Sequence, residues 1–174
     1  MLARQQNVDV VLGEVTGVDL AARTVTTGDG ALPYDHLIVA AGARSAYFGH
    51  EDWAAHAPGL KTIGDALAIR RRMLMAFERA DVATDPDVRR RNLTFVVIGG
   101  GATGVEMAGA LREIAIASAP ADFHHLRPEE VRVVLVEAGS DVLPPFPPDL
   151  RDSARAQLAS LGVEVRTGTP VSSI

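Results

Sequence analysis

A chain of 174 residues, 47% of them hydrophobic, is long enough to bury one core or two smaller ones. Its formal charge of −5 argues against nucleic acid as a partner. No apolar run approaches the ~20 residues of a membrane helix, and the polar start over residues 1–9 lacks the apolar core of a secretory signal. With no cysteine and with five histidines out of ligand spacing, disulfides, thiol catalysis and cysteine-bound metals are excluded and no metal site is expected.

In chain order, residues 8–12, 14–18 and 24–27 alternate in the manner of strands, with turn signals at Gly28, Asp29 and Gly30. They predict a short antiparallel meander. Residues 34–40, YDHLIVA, predict a returning apolar strand that ends on the small residues Ala41 and Gly42. The stretch 46–64 carries Gly, Pro and the only tryptophan, Trp53, and reads as a crossover linker in which Trp53 and Tyr47 anchor local packing. Residues 65–79 predict an amphipathic helix with Leu67, Ile69, Met73, Leu74 and Phe77 on its apolar pattern. The basic clusters 70–72 and 89–91 read as solvated helix faces.

The strongest signal follows. Residues 94–104, TFVVIGGGATG, are an apolar strand running into a glycine cluster, followed by a helical stretch over 105–117 and a second apolar strand over 131–136 that ends on Glu137. This order is what a dinucleotide-binding βαβ unit requires. Gly99 permits the tight turn, Gly101 lets backbone N–H groups approach a pyrophosphate, and Gly104 lets helix and strand pack closely. The helix carries Val105, Ala108, Leu111 and Ile114 at the period of a helix packed on a sheet.

Glu137 lies farther past Gly104 than the ~20 residues usual for such an acid. Residues 118–130, rich in Pro, Asp and His, are expected to form the inserted surface loop responsible. A carboxylate at the end of the second strand accepts hydrogen bonds from ribose hydroxyls and repels a 2′-phosphate, and no Arg or Lys follows within 138–141. NADH is therefore expected over NADPH. A further helix over 149–161, introduced by the proline-rich run 143–148 and stopped at Gly162, leads to a third parallel strand over 163–166. The fold class is thus α/β: a Rossmann-like parallel sheet preceded by an antiparallel meander.

The run 34–43 resembles the second flavin-contacting motif of flavoproteins with two dinucleotide-binding domains. Residues 99–111, GGGATGVEMAGAL, look like the NADH-domain signature of type II NADH dehydrogenases, the non-proton-pumping NADH:quinone oxidoreductases. So do 59–62, 70–72, and the run 135–139 followed by Leu143 and Pro144. The resemblance implies residues 1–45 as part of an FAD domain, 46–64 as linker and 65–174 as an NADH domain incomplete at its C-terminus, the chain being an internal fragment. It implies that Gly99, Gly100, Gly101, Ala102, Thr103, Gly104, Glu137 and Ala138 contact NADH, that Ala41 and Gly42 contact FAD, and that Glu106 acts near the nicotinamide.

Beyond the chain itself, the resemblance implies quinone as electron acceptor. It also implies a parent protein lying peripherally on the cytoplasmic face of the inner membrane, with homodimerisation open. Alone, the chain is expected to bind nucleotide without turnover. Two other readings stand beside this one: a sibling ferredoxin, disulfide or sulfide:quinone reductase, and a non-catalytic NAD(H)-binding module.

Overall fold

The computed structural model describes residues 6–43 and 45–174, with residues 118–121 described only in their backbone, so the first five residues of the polar start and Arg44 lie outside it. The chain divides into two compact units, 1–43 and 44–174.

In the first unit, β1 (Val15–Asp19), β2 (Thr24–Thr27) and β3 (Gly30–Pro33) form an antiparallel sheet in chain order. The β1–β2 turn forms because the Asp19 carboxylate accepts the N–H groups of Ala21 (2.9 Å) and Ala22 (2.8 Å), a local side-chain bond that competes with continued strand. Val25 pairs with Val18 on one side and Leu32 on the other. The meander is thus present, but two of the expected strands are not. Residues 8–12 and 34–40 have no strand pairing, and Ile38 and Val39 are 88% and 77% exposed. An apolar run becomes a strand only when a neighbour takes its N–H and C=O groups, and no described strand lies beside these residues.

The second unit opens with a 3-10 turn, Glu51–Ala55, inside the expected linker. Helix α1 spans Ile63–Asp81. Thr62 and Asp65 form a reciprocal capping box, and hydrogen bonds from the backbone of Thr62 and Lys61 hold the Asp65 carboxyl below its ordinary range. A short helix that the sequence reading did not assign, α2 (Pro86–Asn92), starts where the Asp85 side chain accepts the Asp87 N–H and Pro86 sits at the first position.

Strand β4 (Thr94–Ile98) then leads through α3 (Ala102–Asp122) to β5 (Arg132–Val136), and α4 (Pro148–Leu161) leads to β6 (Val163–Arg166). The three strands are parallel in the order β4-β5-β6, with Ile98 opposite Val136 and Val136 opposite Arg166, so their carboxyl ends finish level. This is the half-sheet of a doubly wound fold. The expected loop 118–130 is corrected. Helix α3 continues to Asp122, and Phe123 beyond it packs edge-to-face on Phe77 at 5.5 Å, so core packing carries the helix past its polar sequence.

In the core of this unit, Phe77, Leu93, Leu135, Val133 and Val142 are fully buried. Phe77 also meets Phe95 edge-to-face at 5.7 Å. Among the described residues no helix is long and apolar enough to cross a membrane.

Candidate functional site

The level carboxyl ends of β4 and β5 bring the glycine loop and Glu137 together. Gly99 turns the chain out of β4 with φ +104, a conformation that L side chains rarely adopt, while its N–H donates to Val136 O at 2.8 Å. Five residues on, α3 comes down onto the same glycine. A Cβ built on Gly104 would stand 1.8 Å from Gly99 O, so a hydrogen at this position is what lets helix and turn meet. At Gly101 a Cβ would meet nothing within 4 Å. Ala102 and Thr103 head the helix, both exposed. The first N–H groups of a helix lack intrahelical acceptors, and together with the helix dipole they favour an anion in that open space.

Glu137 closes the other wall. Its carboxylate takes the Gly100 N–H on Oε2 and the Gly139 N–H on Oε1 (2.6 Å), tying the loop after β5 to the loop after β4. Its own N–H donates to Arg166 O at 2.8 Å, and Leu143 N–H reaches Gly100 O at 2.7 Å. Each carboxylate oxygen has accepted one N–H and retains capacity for another donor, such as a hydroxyl. Ala138 lies exposed beside it.

Sequence reading missed one part of this wall. Asp141 is salt-bridged to Arg151 (3.2 Å) and Arg155 (3.1 Å), which reach it from the first turns of α4, and Arg155 also pairs with Asp152. The 138–141 window contains no basic residue, yet the helix returning beside the loop brings two. Only the return of the chain reveals them.

Glu106 is not gathered into the glycine loop. It is exposed, two residues past Gly104, at the rim of a groove between α3 and α4 lined by Val105, Gly109, Ala154 and Leu161. Ala41 and Gly42 belong to the first unit. Both are exposed, and Gly42 has φ +75 with nothing within 4 Å of a built Cβ.

The basic cluster of α2 is also built into structure. Arg89 pairs with Glu130 at 2.7 Å and donates to Ala80 O (2.8 Å) and to His125 O. It joins α1, α2 and the segment before β5.

The chain is 48% identical over 178 residues to the type II NADH:quinone oxidoreductase NdhA of Mycobacterium tuberculosis, a match covering 100% of this chain and 38% of that protein. It is 37% identical to the mitochondrial external alternative NADH-ubiquinone oxidoreductase of Yarrowia lipolytica, over 82% of this chain and 24% of that one. The chain thus spans well under half the length of the curated relatives it matches. Its fold is similar to that of NDH2 from Plasmodium falciparum, solved in complex with NADH: TM-score 0.70, 24% identity, 93% of this chain and 34% of that one. A family model described as pyridine nucleotide-disulphide oxidoreductase matches residues 2–174, and the chain belongs to that family.

Proposed function

We propose that residues 65–174 hold the NADH of a type II NADH:quinone oxidoreductase, whose whole polypeptide passes hydride from NADH to FAD and electrons on to a quinone. The observation that carries the reading is the open space over Gly101, where a built Cβ meets nothing within 4 Å, at the head of α3 and next to Gly100, whose N–H the Glu137 carboxylate holds. The pyrophosphate lies on Gly99, Gly100 and Gly101 and the first N–H groups of α3, at Ala102, Thr103 and Gly104. The adenine ribose lies against Glu137 and Ala138. Glu106, at the rim of the α3–α4 groove, is assigned to the nicotinamide end by the likeness to type II NADH dehydrogenases and not by its place in the glycine loop. The 48% identity to a mycobacterial NADH:quinone oxidoreductase supports this choice within the family.

A flavin needs a pocket around most of its surface. Ala41 and Gly42 supply one exposed turn of it, so no step through FAD is assigned to this chain. Accepting hydride and releasing electrons singly is chemistry that flavin supplies when bound. The quinone and a peripheral position on the cytoplasmic face of the inner membrane belong to the same reading of the whole protein, which leaves homodimerisation open.

Calorimetric titration of the 174-residue chain with NADH and NADPH tests the reading. NADH is expected to bind at least about tenfold more tightly, and Glu137→Ala to narrow the gap by about 1–2 kcal/mol, the scale of a charge-assisted hydrogen bond. Equal or tighter binding of NADPH by the natural sequence overturns it.

A further inference from the structure

Discrimination at the adenosine end is conventionally assigned to one acid, here Glu137. The structure places a second charge arrangement in the same loop. Asp141, 18% exposed, holds Arg151 and Arg155, and Arg155 also holds Asp152, so two guanidinium and two carboxylate groups balance. The Asp141 carboxylate further accepts the Val142 N–H at 2.9 Å, which fixes the loop immediately before Leu143 anchors to Gly100. Arg151 Nε is buried and has no hydrogen-bond partner among the described residues. Its guanidinium is held through Nη1 on Asp141 while Nε is left over, and an arginine fork is a group well suited to a phosphate.

We propose that Asp141 is a specificity-determining residue: by holding Arg151 and Arg155 in a neutral network beside the Glu137 loop, it withholds them from the 2′-phosphate of NADPH. The proposal rests on the NADH reading above. It makes rejection of NADPH the joint work of a repelling carboxylate, Glu137, and of a neutralising one, Asp141, a division between repulsion and withheld attraction that is common in specific sites. Sequence spacing does not reveal it, because the arginines come from the next helix.

Asp141→Asn keeps an acceptor for the Val142 N–H and removes one negative charge, leaving the network at +1. Titrated with NADH and NADPH, the variant chain is expected to shift its preference toward NADPH by about fivefold or more at low ionic strength, and by less in high salt. Adding Arg155→Gln to that variant should reduce the shift, and adding Arg151→Gln as well should erase it. Asp152→Asn, which removes one of the two carboxylates on Arg155 without touching the loop bond, should move the preference the same way by a smaller factor, and it serves if Asp141→Asn does not fold.

A lowered thermal midpoint with an unchanged NADPH-to-NADH ratio, in either variant that still binds NADH, overturns the proposal and leaves the NADH reading standing. A natural chain that binds neither nucleotide overturns both.

Discussion

Two glycines three residues apart, Gly101 and Gly104, have opposite surroundings and therefore opposite expected fates. At Gly104 an added methyl would meet the Gly99 carbonyl oxygen at 1.8 Å and its carbon at 3.0 Å, both backbone atoms that no side-chain rotation removes. Gly104→Ala must push α3 off the turn, at a cost of about 2–3 kcal/mol or more, the scale of an overpacked core. At Gly101 the methyl enters open space. Gly101→Ala is expected to leave the thermal midpoint of the unliganded chain unchanged or slightly raised, since alanine restricts the unfolded chain. The same methyl occupies the space assigned to the pyrophosphate, so NADH affinity should fall at least tenfold, about 1.4 kcal/mol. Calorimetry and thermal melts on both variants check this. Normal NADH binding by Gly101→Ala would remove the phosphate from the loop, and a large loss of stability would make Gly101 a packing glycine like Gly104.

At the scale of elements, helices and strands are joined by a few guanidinium groups that gather carbonyls. Arg112, on α3, donates to Leu161 O at the end of α4 and to Pro128 O and Val131 O before β5. Arg89 does the same for α1 and the segment before β5, with Glu130 as its anion. The hydrogen bond from Arg89 is the largest influence on Glu130 and holds its carboxyl below the ordinary range, against the opposing effect of burial. A depressed carboxyl contributes stability that is present above the ordinary carboxylate range and lost as pH falls through the lowered value. Melts recorded down through that acid range should show the loss in the natural chain and a flatter profile in Glu130→Gln. Because Glu130 is 37% exposed, solvent screening limits the pair to about 0.5–1 kcal/mol. Arg89→Ala should cost more, about 2–3 kcal/mol, because it also strips donors from two carbonyls.

These joints mark the limit of what the sequence displays. The βαβ order, the glycine positions and the acid at the end of β5 are legible because each is a local rule: a strand pattern, a turn that needs glycine, a helix period. Helix α2 has a local start signal in Asp85-Pro86, but its polar sequence carries no apolar period to continue it, and the sequence reading does not assign it. The arginines that meet Asp141, the carbonyls that meet Arg89, and the lack of a described strand beside residues 34–40 are facts of long-range return, for which no local pattern exists.

For the molecule as a whole, the contrast between the two units predicts a gradient of stability. In the first unit none of the described residues is buried, and its sheet has three short strands. A sheet without a covered face has little apolar burial to set against the entropy of ordering it. In the second unit β5 is hydrogen-bonded on both sides, and Val133, Val134, Leu135 and Val136 are all buried. Its amides can exchange only when the sheet itself opens, whereas those of the meander need only local opening. Hydrogen exchange followed by mass spectrometry is therefore expected to show the amides of 132–136 protected at least about a thousandfold more than those of 15–33, a difference of about 4 kcal/mol in opening free energy. Comparable protection in the two regions would mean that the meander has a covered face. Addition of NADH should slow exchange further across 99–105 and 137–143, where the loops are tied through Glu137 and Leu143, because a ligand that binds only the closed form stabilises it by mass action. Protection appearing elsewhere in the second unit and not at these loops would place the nucleotide away from the glycine turn.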